Sequence, residues 1–295
     1  MASIKRRDGI RGPSYRVLYR DPQGRSQSKT FRRKADATAF MHTVEHSKIR
    51  GAYVGPKGGK TPFGDFAADV MKARALNQRP STQAGDASIM RSRVLPHFEN
   101  RHLGSVTPIE VQQWVNKTAK SHAASTTRKA HSLLNVVFDA AVNADLIGRT
   151  PCRGIKLPKL GTEEMRFLTV DEITRLADTI DPRFRALVLT AAFTGARFGE
   201  LAALKIGPNG LDLLRKRMTI STTLTEVRGY IDIGPPKSPA ANRAISLPTF
   251  LVDELARHLE GHDGVFVFTS PDGGPLRRNN FRRRIWRPAL EAAGR

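Results

Sequence analysis

The stretch Thr194-Gly195-Ala196-Arg197-Phe198-Gly199-Glu200-Leu201 decides how this chain is read. Residues 183–193 ahead of it are almost continuously apolar, as expected of a helix inside a core. Gly195 lets that helix stop, and a new one is expected to begin around Arg197 and to carry Leu201, Leu204 and Lys205. Glu200 lies three residues after Arg197. At that spacing it can simply be an intrahelical partner, which would leave the arginine an ordinary surface charge. The functional reading is that the carboxylate orients a planar guanidinium to fork onto two phosphate oxygens.

Outward from this point, Thr169 and Glu172 form a capping box that opens a helix through Ile173 and Leu176. Downstream, residues 217–223, 227–233 and 243–247 read as strands, followed by a helix over 250–259 and the apolar run 265–268. The turn Pro235-Pro236-Lys237-Ser238-Pro239-Ala240-Ala241-Asn242 precedes Arg243-Ala244-Ile245-Ser246-Leu247. Lys237 is therefore expected at a hairpin tip, where a lysine either solubilises or reaches a ligand. Helices bracketing a small sheet make this last part an α+β domain.

Of the 295 residues, 49 are Lys or Arg and 27 are Asp or Glu, a net charge of +22. Such an imbalance is self-repulsive and makes sense beside a polyanion. Hydrophobic residues at 39% and charged residues at 26% exclude wholesale disorder. No apolar run approaches the length of a membrane span, and MASIKRRDG has no secretory apolar core, so no membrane role is expected. Cys152, the single cysteine, excludes an internal disulfide and a cysteine-rich zinc site. The charge is graded: residues 1–60 are net +11, 61–158 net +6, and 159–274 net −1, before seven arginines and one glutamate over 275–295. Three basic segments around a neutral block predict a DNA-contacting surface assembled from modules, with binding that falls steeply as salt rises.

The first module, 1–55, is expected to be a three-stranded sheet with one helix. Strands at 3–7, 14–20 and 25–31 flank the turn Asp21-Pro22-Gln23-Gly24, and Ala37, Phe40, Met41 and Val44 share a helical stripe over 34–50. Lys5, Arg6, Arg7, Arg16, Arg20 and Lys29 are its DNA-binding candidates. Residues 51–60 are glycine-rich and read as a flexible linker. The second module, 61–150, is all helical. Phe63, Phe66, Ala67, Val70 and Met71 have a helical period, and Thr107-Pro108-Ile109-Glu110 is a capping box ahead of Val111, Trp114 and Val115. Trp114 at that spacing belongs to the core. The helix over 125–146 has Arg128 and Lys129 at its start, where cations and helix-end amides favour phosphate. Residues 152–162 read as a second linker, and the third module covers 163–295.

Taken together and in order, LTVDEI (168–173), TGARFGELAALK (194–205), PPKSPAANRAISLP (235–248), VFVFTSPDGGPL (265–276) and the basic helix FRRRIWRPALEAAG (281–294) closely resemble the tyrosine recombinase, or phage integrase, family. The likeness covers nearly the whole chain. It implies a multidomain protein: a small α+β arm-site-binding module, an all-α core-site-binding domain and an α+β catalytic domain, here incomplete. The implied activity is DNA integration and excision by a mobile element or virus, through strand exchange without metal, ATP or other cofactor. A tyrosine attacks the scissile phosphodiester to give a 3′-phosphotyrosyl link and a free 5′-hydroxyl, and the 5′-hydroxyl of a second duplex reverses that step. By resemblance, Arg197 matches the first arginine of the family's pair, Lys237 the general acid for the departing 5′-oxygen, and Glu200 the acidic residue supporting the site. Arg282 and Arg283 on the basic helix join the DNA-facing set. The implied partners are double-stranded attachment-site DNA, a homo-tetramer on that DNA, and a host DNA-bending protein and excisionase. The implied location is the bacterial cytoplasm, at the nucleoid.

The family's pattern continues with a His/Lys-x-x-Arg box and the nucleophilic tyrosine, a stretch expected to begin just where this sequence ends, at Arg295. The tyrosines present are Tyr15, Tyr19, Tyr53 and Tyr230, none of which follows a catalytic box, and His258 and His262 lack an arginine three residues on. No nucleophile is therefore assigned. The expectation is a fragment of a recombinase, with apolar surface uncovered near Ile285, Trp286 and Leu290; the alternative is a non-catalytic DNA-binding regulator. Residues 190–205 also allow a helix-turn-helix reading. An RNA-binding protein is disfavoured, since no aromatic RNP-type strand or KH-type loop is present.

Overall fold

A computed structural model describes residues 2–9, 12–21, 24–49, 58–161, 166–262 and 264–294. The chain divides into two units, Met1–Thr162 and Glu163–Arg295.

The first unit opens with β1 (Ser3–Gly9), β2 (Gly12–Arg20) and β3 (Ser26–Phe31), an antiparallel sheet in that order, followed by α1 (Lys34–Ile49). Buried Asp21 fastens the β2–β3 connection by accepting from the Arg25 amide and from its Nε, both at 2.8 Å. Alternation along β2 sends Val17 and Tyr19 into a small core with Ala37 and Val44 of α1. Among the described residues of this part, α1 covers one face of the sheet.

A separate core holds the helical part. It is built from α2 (Phe63–Ala75), α3 (Pro80–Ile89) running through a π-turn (Met90–Val94) into α4 (Leu95–Phe98), α5 (Pro108–Ser121) and α6 (Ala124–Asn143). Phe63, Phe98, Phe138 and Trp114 meet there, and the Trp114 indole donates to the Arg93 carbonyl at 3.1 Å, so its role is packing. Thr107 caps α5 through the Glu110 amide, but the capping box is only half made, because the Glu110 carboxylate is drawn instead to Arg101 at 3.1 Å.

Both supposed linkers differ from expectation where they are described. Gly58–Lys60 forms a 3-10 turn, and Thr61 beside it accepts from the Leu103 amide at 3.0 Å; residues 51–57, Tyr53 among them, lie outside the described residues. In the second, Ile155 and Leu157 pack on the helical core and Gln112 both donates to and accepts from the Lys156 backbone, so apolar side chains tie this segment down. Position 162 is outside the described residues.

In the second unit, α7 (Val170–Thr179) opens with the complete Thr169/Glu172 capping box, and α8 (Arg185–Thr194) is the buried helix. After α9 (Phe198–Leu201) come β4 (Leu211–Asp212), β5 (Arg217–Ile220), β6 (Thr223–Val227), β7 (Tyr230–Gly234) and β8 (Arg243–Ser246). Helices α10 (Thr249–His258), α11 (Arg278–Phe281), a π-turn (Arg282–Trp286) and α12 (Arg287–Ala292) complete it. Expectations fail at several points here. Residues 227–233 are no single strand: Arg228 (φ 51°) and Gly229 (φ 84°) make a tight turn between β6 and β7. Nor do β7 and β8 form a hairpin. β7 pairs only with β6, whereas β8 joins β5 in a sheet of order β4-β5-β8. The uncovered surface expected near Ile285, Trp286 and Leu290 is half-buried, since all three pack against the core beside Phe281 and Ala289.

Candidate active site and nucleic-acid interface

The turn into α9 is fixed residue by residue. Gly195 ends α8 in the left-handed region (φ 64°), with its amide returned to the Ala191 carbonyl at 3.1 Å. Arg197 then sits in extended geometry as the residue preceding α9, and its amide donates to Glu200 Oε2 at 2.9 Å. Gly199 is required by close approach, since a Cβ there would stand 2.6 Å from the Leu224 carbonyl oxygen on β6. The expected helix through Lys205 is only one turn long, because α9 ends at Leu201. A four-residue helix cannot serve as a recognition helix, which removes the helix-turn-helix reading.

Glu200, 3% exposed, is the hub. Its Oε1 accepts from Arg197 Nη1 at 3.0 Å and from Arg243 Nη1 at 3.3 Å, and Oε2 accepts from Arg243 Nη2 at 2.9 Å. Burial pushes the Glu200 carboxyl up, but the Arg243 guanidinium and the Arg197 amide and guanidinium outweigh it and hold the group below the usual carboxylate range. Pairing and presentation are therefore not alternatives for Arg197, which gives Glu200 one side-chain N–H while 76% of its side chain stays exposed. Arg243 was not singled out in the sequence. Its signal was an arginine opening an alternating strand six residues after Lys237, legible only once β8 is known to start there. Lys237 is exposed on the connection between β7 and β8.

Strand register sorts the N-terminal candidates by face. Lys5 pairs with Arg16, Arg7 with Ser14 and Arg20 with Ser26, which places Lys5, Arg7, Arg16 and Arg20 on the open face of the sheet, among Ser14, Ser26, Ser28 and Thr30. Arg16 Nη2 is steadied there by Ser28 Oγ at 2.8 Å. Arg6 and Lys29 fall on the helix-covered face. Arg6 pairs with Asp8 at 2.9 Å, and Lys29 Nζ rests 4.7 Å from the centre of the Phe40 ring and 5.3 Å from that of Phe31.

In the helical part, Arg128 donates to the Pro158 carbonyl at 3.2 Å, and Lys129 Nζ lies 2.9 Å from Oδ1 of buried Asp86. Asp86 also accepts from Gln78 at 3.2 Å and pairs with Arg74 of α2 at 3.5 Å, joining α2, α3 and α6. Arg282 and Arg283 are exposed in the π-turn after α11. Of the residues left unassigned, His258 and His262 bond the Val267 and Phe266 carbonyls at 2.9 and 2.7 Å, which are packing roles. Burial pushes the Cys152 thiol up to about 12, so it is no nucleophile. Among the described residues no His/Cys/Asp/Glu cluster with metal-binding geometry occurs, and no helix is long and apolar enough to cross a membrane.

A helical module followed by an α+β unit is the arrangement of the proteins this chain is similar to, which are named integrases and tyrosine recombinases. Residues 63–119 match the family model "Phage integrase, N-terminal SAM-like domain". Among relatives, the chain is similar to the putative prophage phiRv2 integrase of Mycobacterium tuberculosis, 29% identical over 259 residues that cover 84% of this chain and 67% of that protein. It is also similar to the integrase of Mycobacterium phage L5, at 23% identity over 66% of this chain and 54% of the phage protein. Among solved structures, a lambda integrase tetramer bound to a Holliday junction shares the fold, with a TM-score of 0.61 and 18% identity over 95% of this chain and 79% of that one.

Proposed function

We propose that this chain carries the DNA-binding surface and part of the catalytic centre of a site-specific integrase acting on double-stranded attachment sites. The reading is carried by one observation: Arg197 is held by a buried carboxylate through a single side-chain N–H yet remains largely exposed. In-line displacement at phosphorus concentrates negative charge on the non-bridging oxygens, and a pre-oriented guanidinium stabilises that charge without reorganising. Arg197 contacts the scissile phosphate. Lys237 delivers a proton to the departing 5′-oxygen as the P–O5′ bond breaks and a tyrosyl P–O bond forms. Glu200 touches Arg197 rather than the phosphate. No tyrosine of this sequence is assigned the attack.

The domains divide the labour. The sheet of residues 1–55 takes arm-type sites through Lys5, Arg7, Arg16 and Arg20, helices of 61–150 take the core site with Arg128 and Lys129 at one helix start, and 163–295 carries the chemistry, with Arg282 and Arg283 on the backbone. By likeness to the lambda integrase tetramer, four copies act together on DNA; a host bending protein and an excisionase are proposed beside them as accessory factors.

The test is incubation with a nicked duplex. The expected result is salt-steep duplex binding with no denaturation-resistant adduct. An adduct would mean that a residue of this chain attacks the phosphodiester after all, and salt-insensitive binding overturns the DNA-processing reading itself. Arg197→Ala is expected to weaken duplex binding by no more than a few-fold, the share of one phosphate contact.

A further inference from the structure

Arg243 belongs to none of the roles given above, yet its guanidinium bonds both oxygens of Glu200. A carboxylate offers about four acceptor directions. In this structure the Arg197 amide and Arg243 Nη2 occupy Oε2, while Arg243 Nη1 and Arg197 Nη1 share Oε1. The carboxylate is filled, with one place left for the Arg197 side chain. Left alone with Glu200, Arg197 would adopt the preferred two-bond fork, with its charge matched by that one carboxylate and two of its five N–H donors tied to it. Arg243 Nη1 also donates to the Ala241 carbonyl at 3.1 Å, at the end of the 3-10 turn Pro239–Ala241 that follows Lys237. From this we infer that Arg243 is a positioning residue: by saturating Glu200 it keeps the Arg197 donors available to a DNA phosphate, and it ties the segment bearing Lys237 to the same carboxylate.

The inference rests on the proposed role of Arg197, so the experiment separates the two. Duplex affinity of the full chain is measured against salt for wild type, Arg197→Ala, Arg243→Ala and the double variant. Each phosphate contact contributes about 0.9 to the slope of log affinity on log salt. Arg197→Ala is expected to lower the wild-type slope by about one unit, and to lower it by nothing in the Arg243→Ala background, where Glu200 has captured Arg197. A role confined to stability would shift the melting temperature but leave the two decrements equal, and equal decrements overturn the positioning role. No decrement even in wild type overturns the phosphate reading of Arg197 and the positioning role with it. Arg243→Lys carries the test if Arg243→Ala does not fold. It keeps a charge beside Glu200 without the fork, so the Arg197 decrement is expected to shrink; a full wild-type decrement in that background overturns the saturation argument.

Discussion

The open face of the N-terminal sheet and the turn at Arg197 both hold arginine out to solvent, but they do so in opposite ways. On the sheet, Lys5, Arg7 and Arg20 project from an antiparallel ladder with no carboxylate partner among the described residues, and Arg16 is steadied only by a serine hydroxyl. At the turn, one exposed guanidinium is backed by a buried glutamate, a second arginine and a backbone amide. Unpaired cations supply counterion-release affinity in proportion to their number. A cation with a built backing adds a single contact to that sum, but its orientation is set before the ligand arrives, which is the requirement for stabilising a developing charge. Under the proposed function, the two regions separate holding DNA from acting on it.

Substitutions can break this contrast or sharpen it. Replacing Lys5, Arg7, Arg16 and Arg20 together with Ala is expected to cost on the order of 100-fold in duplex affinity and to flatten the salt slope by about 3–4 units. A titration that leaves the slope intact would show that the open face does not meet DNA.

Glu200→Gln is expected to destabilise the second unit by about 3 kcal/mol at neutral pH, since it strips the carboxylate from two arginines that converge on it. The pH dependence follows from the depressed carboxyl. The stabilisation is fully present above the unfolded carboxylate value and is lost as pH falls through the folded one, so wild type and variant should converge in acid. A gap constant from neutral pH down to pH about 3 would mean that ionisation of Glu200 is not its source.

Gly199→Ala should cost about 1–3 kcal/mol by forcing α9 off the Leu224 carbonyl, read as a fall in melting temperature. The smallest effect is expected at Lys29. Removing its ammonium from the Phe31 and Phe40 rings should cost about 1 kcal/mol and leave the salt slope unchanged. A drop of about one unit would move Lys29 to the DNA-contacting set.

Much of this architecture is legible in the sequence because it rests on periodicity and end signals. Alternation at Tyr15, Val17 and Tyr19, the stripe from Ala37 to Val44 and the Thr169/Glu172 capping box each specify one local structure. What escaped depends on partners distant along the chain. The helix over 80–98 has apolar residues too sparse to announce it, and it is held by Asp86 reaching Lys129 on another helix. The break at Arg228 and Gly229 interrupts a run with strand-like composition, and Arg277 secures it from 48 residues away by donating to the Gly229 carbonyl at 2.7 Å. At the site, the pairing of Arg197 with Glu200 was readable from a spacing of three. Arg243 reaches the same carboxylate across 43 positions, a relation that only the β5–β8 pairing creates.

The assignment of β7 and β8 to different sheets has a consequence for how such a site can diversify. The segment between Gly234 and Arg243 shares no ladder with either neighbour, so residues can be inserted or deleted there without shifting the register of any strand. The reach of Lys237 is thus a length that mutation can tune, while the anchorage of Arg197 stays untouched.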